Sequence, residues 1–177
     1  MQLGFSLITI AVQVAVLGLM VVSMPLTKIF LRDGDRGLEY CFTLWASGKC
    51  GESGSSISRF PCNIERRLFQ VAAAFSIISS VLSVAVLLLF IMSVRYGWAN
   101  WASRIAAILC VISVLLVWFT VLVVYNRKSC KFEFESSGNA VVVDLTNRDL
   151  LWLGLGYSLT FVALVLEIVV VVLSFVF

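Results

Sequence analysis

Five cysteines and one carboxylate set within an apolar run are the side chains of this sequence most able to do chemistry. Cys41, Cys50, Cys62 and Cys130 stand in polar stretches, whereas Cys110 and Glu167 stand in apolar ones. Thiols can act as nucleophiles, metal ligands, redox pairs or disulfide partners. A labile redox pair uses Cys-x-x-Cys, whose close spacing gives a low-pKa, easily reduced couple, and none of the five is so spaced. No histidine occurs, which removes Ser-His-Asp and Cys-His catalysis, His-ligated metals and His-based pH sensing. The sequence therefore predicts no catalytic residue, no metal site and no cofactor. The four cysteines of the polar stretches read as two structural disulfides.

The elements that position these residues follow from composition. Of 177 residues, 61% are apolar and 13% charged, with a mean hydropathy of +1.05. An average soluble domain is about 45–50% apolar and about 25% charged, so a soluble globular domain is excluded. Disorder is excluded because it needs low hydrophobicity and high net charge. A net charge of +3 with scattered Lys and Arg excludes a nucleic-acid partner. Spanning a bilayer as a helix takes about 20 apolar residues. Four stretches qualify: Leu3 to Met24, Leu68 to Val94, Ile105 to Tyr125, and Leu150 to Phe177. The first has no basic leader and no small-x-small site before Pro25, so it reads as an uncleaved first helix.

Four crossings put both termini and the short loop 95–104 on one side, with loop 1 (25–67) and loop 2 (126–149) on the other. All four loop cysteines then share one face, which places loops 1 and 2 in an oxidising, extracellular compartment and the termini in the cytoplasm. The positive-inside rule points the other way, since it counts Lys and Arg near span ends. Loop 1 holds seven of these and loop 2 four, against Arg95 and Arg104 in the short loop. The cysteine placement is given the greater weight, because reduced cytosolic loops have no evident use for this pattern.

Loop 1 contains Leu38-Glu39-Tyr40-Cys41-Phe42-Thr43-Leu44-Trp45, an alternating aromatic-rich run that predicts a strand. Ala46-Ser47-Gly48-Lys49 reads as the turn before Cys50, so that Cys41 and Cys50 face each other across adjacent strands. In loop 2, Lys131 to Glu135 alternates strictly, Ser136-Ser137-Gly138-Asn139 reads as a turn, and Ala140 to Val143 as a returning strand. Cys62 with Cys130 would tie the loops together. Four cysteines allow three connectivities, and Cys41–Cys50 is the one the hairpin favours. Gly51 to Ser56 reads as an exposed tip, and no Asn-x-Ser/Thr sequon occurs. The predicted architecture is an all-α membrane protein: a four-transmembrane-helix bundle, residues 1–177, capped by a small disulfide-stapled extracellular β-sheet drawn from loops 1 and 2.

Cys41-Phe42-Thr43-Leu44-Trp45, followed by Lys49-Cys50, resembles the signature of the amastins, surface proteins of trypanosomatid parasites. Ala46 stands where that family has Gly, the interval is one residue short, and Lys49 replaces an acidic or polar residue. The four-span layout with the larger loop first is similar over the whole chain. More distantly, the layout and the Cys-x8-Cys spacing resemble claudins and peripheral myelin proteins, although the Trp of the claudin Gly-Leu-Trp-x-x-Cys pattern is absent. The resemblance to amastins implies a plasma-membrane protein, abundant in the intracellular parasite stage, acting at host–parasite membrane contact.

Within the spans, Glu167 is the only ionisable side chain. A charge at the bilayer centre costs about 2.5–3.5 kcal/mol on insertion scales, so such a residue has a role. At 1.5 Å per residue, Glu167 lies about 15 Å above the inner interface, Gln13 and Ser83 about 18 Å, and Ser113 about 14 Å. One polar residue from each helix therefore falls in a shared layer, expected to act as interhelical glue. Small-residue stripes are expected on helix 2 (Ala72, Ser76, Ser80, Ser83) and helix 3 (Ser103, Ala106, Cys110, Ser113), with Cys110 as a small filler. Gly154 and Ser158 make a further small-xxx-small pair that could serve the bundle or a homo-oligomer. Tyr96, Trp98, Trp101, Tyr125, Trp152 and Tyr157 read as interfacial aromatic belts, while Trp45 is expected to pack under the outer sheet. The function expected is a non-enzymatic surface protein that meets membrane lipid, a partner protein or an opposing membrane through its outer sheet. The alternative is a small transporter, channel or auxiliary subunit that uses the Glu167 layer.

Overall fold

The computed structural model describes residues 2–33, 38–50, 55–56, 63–93, 95–126, 131–136, 139–144 and 151–176. Cys62, Cys130 and most of the Gly51–Ser56 tip lie outside the described residues, so the expected Cys62–Cys130 bond does too. Four helices form: α1 (Gln2–Ser23), α2 (Asn63–Ser93), α3 (Gly97–Asn126) and α4 (Leu155–Val176). Three of them, α2, α3 and α4, are long and apolar enough to cross a membrane, and the stretch Ile8–Ser23 of α1 is a further apolar helix. At 1.5 Å per residue the 22 residues of α1 reach about 33 Å, the thickness of the hydrocarbon core.

The distribution of polarity is inverted relative to a soluble bundle. Gln13, Ser83, Ser103 and Glu167 are fully buried, whereas Val81, Leu88, Phe119 and Val172 are more than half exposed. Outward aliphatic side chains are what a lipid solvent accepts, and a helix pair gains nothing there by hiding them. The helices meet instead through small residues. On α2 the buried stripe is Ala72, Ala73, Ser76, Ser79 and Ser83, and on α3 it is Ala99, Ser103, Ala107, Cys110 and Ser113. Ser79 and Ala107 thus take the places expected of Ser80 and Ala106, while the rest of each expected stripe keeps its place.

Helices α2 and α3 run past the predicted spans. Arg95 and Tyr96 donate their N–H groups to the Met92 carbonyl in a tight turn at 3.0 and 2.9 Å, and α3 resumes at Gly97. Most of the predicted 95–104 loop is therefore helix. At the opposite end, α4 starts five residues later than expected, because Leu151–Leu153 leaves the helix to become a strand.

That strand joins the cap. Strands β1 (Ile29–Asp33), β2 (Leu38–Phe42), β3 (Ala46–Lys49) and β4 (Ser55–Ser56) come from loop 1, while β5 (Lys131–Ser136), β6 (Asn139–Asp144) and β7 (Leu151–Leu153) come from the segment before α4. The main sheet has the order β4-β3-β2-β1-β7, and β5-β6 is a separate two-stranded ribbon. Its register pairs Lys131 with Asp144 and Ser136 with Asn139, which matches the predicted hairpin. The β2–β3 turn falls earlier than predicted: the strand ends at Phe42 and Ala46–Lys49 is strand, not turn. Thr43 decides this, because its Oγ1 accepts the N–H groups of Trp45 and Ala46 at 3.2 and 2.9 Å. A hydroxyl that captures the backbone two and three residues on ends a strand.

The sheet is seated on the bundle by apolar contact and by backbone. Ile29, Phe42 and Leu44 pack with Phe69, Ala72 and Ala73 of α2, Val117 and Val121 of α3, and Tyr157 of α4. At the α1–β1 and β7–α4 junctions, the Gly154 and Gly156 N–H groups donate to the carbonyls of Lys28 and Thr27, both at 2.9 Å. A Cβ on Gly154 would collide with the Thr27 carbonyl oxygen, and one on Gly156 would lie 2.7 Å from that of Leu26. Gly154 therefore serves this junction rather than a small-residue helix pair, and Ser158 is exposed. Overpacking of this kind costs about 1–3 kcal/mol. Gly156→Ala is expected to lower the thermal unfolding midpoint of the detergent-solubilised protein by several degrees. Gly18→Ala, where an added Cβ meets nothing within 4 Å, is expected to leave it unchanged.

Candidate functional site

Two polar constructions stand out, one at mid-bundle and one at the end that carries the sheet. The first is built on Glu167, which sits on the inward face of α4 and is fully buried. From α1, Gln13 Nε2 donates to Glu167 Oε1 at 3.3 Å and to Ser83 Oγ of α2 at 2.8 Å. Three helices are thereby joined through one amide. Cys110 of α3 adds the fourth: its thiol donates to the Ser79 carbonyl at 3.5 Å and lies beside the Glu167 carboxyl. Ser113 takes no part, because its hydroxyl is spent on the Cys110 carbonyl of its own helix at 2.9 Å. The sequence places Cys110 on the right stripe, three residues before Ser113, but gives no sign that it reaches Glu167. Glu167 Oε2 and Gln13 Oε1 are buried without a hydrogen-bond partner.

The layers on either side of this cluster are apolar. Val16, Val86, Val114, Leu164 and Val170 are all 5% exposed or less and pack in one cluster with Cys110. Interhelical hydrogen bonds in membranes are worth about 0.6 kcal/mol on average and at most about 1.7, so the cluster selects the helix register rather than supplying most of the stability. Gln13→Leu removes the donor shared by Glu167 and Ser83 and leaves a buried carboxyl without it. It is expected to destabilise the folded bundle by about 1–2 kcal/mol, measured by reversible unfolding in bicelles. Glu167→Gln, which keeps an oxygen facing Gln13, is expected to cost less.

The construction at the sheet end centres on Lys28, a loop base by sequence. Lys28 lies between α1 and β1 and is 1% exposed. Its ammonium points into the bundle, donating to the Gly156 carbonyl at 2.8 Å and to Thr160 Oγ1 at 2.7 Å. Nothing in its spacing announces this, since the residues that receive it come from α4, 128 and 132 positions away. The cationic group thus enters the first turns of α4, so Glu167 is not alone among charges near the bundle interior. Below Lys28 is a small cavity lined by Met20, Ser23, Met24, Leu44, Ser76, Ser79, Val114, Val117 and Thr160. None of these can ionise.

Burial without a counter-charge pulls the Lys28 pKa from 10.5 down to about 7, because low dielectric disfavours the charged form. Below about pH 7 both folded and unfolded chains hold this proton. Between about 7 and 10.5 only the unfolded chain holds it, so stability rises with pH in that window. The slope is at most about 1.4 kcal/mol per pH unit. Unfolding free energies measured between pH 7.5 and 9.5 are expected to climb in the wild type. The climb should be weaker in Lys28→Met, and a difference between the two that stays flat with pH would contradict the assignment.

Above Lys28, the five residues that begin at Cys41 divide their work. Cys41 is bonded to Cys50, with Cα atoms 5.1 Å apart; closing a loop of this length stabilises by about 3 kcal/mol in the chain-entropy account. Phe42 and Leu44 are 4% and 1% exposed and plug the top of the bundle. Thr43 holds the turn, and Trp45 is 42% exposed, not packed beneath the sheet as expected. Tyr157 likewise departs from its expected place in an aromatic belt: it is buried and stacks on Trp118 with ring centroids 5.7 Å apart. Trp98, Trp101 and Trp152 are exposed, at 64, 71 and 64%. Among the described residues no group of three or more potential metal-ligating Cys, Asp or Glu side chains occurs.

The chain was compared with known proteins. A search of curated proteins finds no match. The family model for the amastin surface glycoproteins matches residues 13–173, a stretch that takes in the second half of α1, all of α2 and α3, most of α4, the stapled hairpin and the Gln13–Glu167 cluster. The family description says glycoprotein, yet this sequence carries no Asn-x-Ser/Thr sequon. With the match covering most of its length, the chain belongs to the amastin family, and it is a multi-pass membrane protein of the cell surface.

Proposed function

We propose that this amastin is a non-enzymatic contact protein that presents its stapled sheet outside the cell, with both termini in the cytoplasm. The observation that carries the reading is the opposed placement of two neighbours. Leu44 is driven into the bundle at 1% exposure, while Trp45, on the same hydrogen-bonded turn, is held outward at 42%. A rigid exposed tryptophan offers a large contact area at little entropic cost, and such residues dominate binding energetics. Trp152 is likewise exposed, on edge strand β7 of the same sheet. The expected occupant is lipid of an opposing membrane or an apolar patch on a partner protein. Transport is the weaker reading, because valines close both sides of the Glu167 cluster.

Two measurements on the full chain test this. In intact cells, a membrane-impermeant thiol reagent applied after mild reduction is expected to label Cys41 and Cys50; labelling only after permeabilisation would invert the topology and remove the contact function with it. In nanodiscs, the protein is expected to bind host-cell membrane vesicles, and Trp45→Ala is expected to weaken that binding at least tenfold with the Cys41–Cys50 bond intact. Equal binding by the two would show that the sheet is not the contact surface.

A further inference from the structure

Among the described residues, protein atoms do not take up every donor of Lys28. Below about pH 7, where folded Lys28 holds its proton, its ammonium carries three N–H donors, and two of them go to Gly156 and Thr160. The side chain is 1% exposed and lines the cavity formed between the outer halves of the four helices, so the third donor has no access to bulk water. The cavity's hydroxyls have all spent their single proton elsewhere. Ser23 donates to the Met20 carbonyl at 2.9 Å, Ser76 to Ala73 at 2.7 Å, Ser79 to Ser76 at 3.0 Å, and Thr160 to Gly156 at 2.7 Å. Each therefore turns only oxygen lone pairs toward the space.

We propose that this cavity is a binding site for one water molecule, which takes the third Lys28 proton and donates its own two to hydroxyl oxygens of Ser76 and Ser79. Volume and chemistry agree on this occupant. The space open to the centre of a water molecule is ≈ 10 Å³, about one water. An anion would have a single donor and a wall of lone pairs. A metal cation would face an ammonium. Water alone accepts once and donates twice, giving the three bonds typical of a buried water.

The bound water extends the reach of Lys28. The direct bonds of the Lys28 side chain reach only α4; the water carries the tie to α2. Ser79 then continues it, since its carbonyl receives the Cys110 thiol, which lies beside Glu167. The outer cap and the mid-bundle cluster become one polar column.

The test uses the full chain in nanodiscs at about pH 6, where Lys28 is protonated, with ¹⁵N-labelled lysine. The Lys28 Nζ resonance, assigned by its loss in Lys28→Met, is expected to show a rotating-frame Overhauser peak to water, opposite in sign to an exchange peak. That peak is expected to disappear in Ser79→Val, which replaces an acceptor and fills the space. It should survive in Ser80→Ala, whose hydroxyl bonds the Ser76 carbonyl and does not line the cavity. Absence of the peak in the wild type, which needs no variant to fold, overturns the proposal. Its persistence in a folded Ser79→Val protein, or its dependence on chloride, does so equally.

Discussion

Lipid hydrocarbon is as apolar as leucine, so helices inside it cannot be held together by hiding leucine from it. The rest of this structure depends on that constraint. Large aliphatic side chains point outward at no cost, and the interior is left to groups that approach closely or bond across helices. The seam between α2 and α3 is made of Ala, Ser and Cys. The contact among α1, α2 and α4 is organised by one glutamine amide. Most buried serines return their hydroxyl to a carbonyl three residues back, which satisfies the proton locally and leaves a narrow side chain at the interface.

The same constraint explains how the cap is fastened. A sheet outside the membrane can use ordinary apolar burial, and it does so with Ile29, Phe42 and Leu44. That burial is non-directional. Orientation comes from the backbone, where two glycines let the Leu26–Lys28 segment lie directly against the start of α4. Lys28 adds a directional bond at a cost in desolvation, and this cost is why its proton is held so weakly. Leu151–Leu153 leaves the helix because pairing with β1 satisfies backbone groups at the point where α4 would otherwise begin unsupported.

Much of this was legible beforehand, for identifiable reasons. Span number follows from apolar length, which is a one-dimensional property. The polar layer follows from depth, which is also one-dimensional, and Gln13 bonds Ser83 and Glu167 within it. Depth says nothing of azimuth, however, so by depth alone Ser113 falls in the layer although its hydroxyl turns to its own helix, while Cys110 does not announce itself. The β2–β3 turn was misplaced because Ala-Ser-Gly-Lys is a better turn by composition than Thr-Leu-Trp. One threonine hydroxyl outweighed that preference. Lys28 was invisible because its partners are defined only by the tertiary fold.

The interval between the two bonded cysteines shows how tightly the cap is specified. Cys41 pairs with Gly48 across β2 and β3, and Cys50 lies two residues beyond Gly48. Strand side chains alternate, so Cys50 projects from the same face as the residue opposite Cys41. The Cys50 N–H also donates to the Glu39 carbonyl at 3.1 Å, which carries the ladder past the last strand residue. An odd number of residues added between Ala46 and Cys50 would turn the second thiol to the opposite face, unless a bulge absorbed it. An interval one residue longer would need such a bulge or another strand register. In either case Leu44 and Trp45, which lie before the insertion and are fixed by the Thr43 turn, keep their inward and outward places. Variation in the interval then falls on β3 and the tip that follows it, and the plug that seats the sheet is spared.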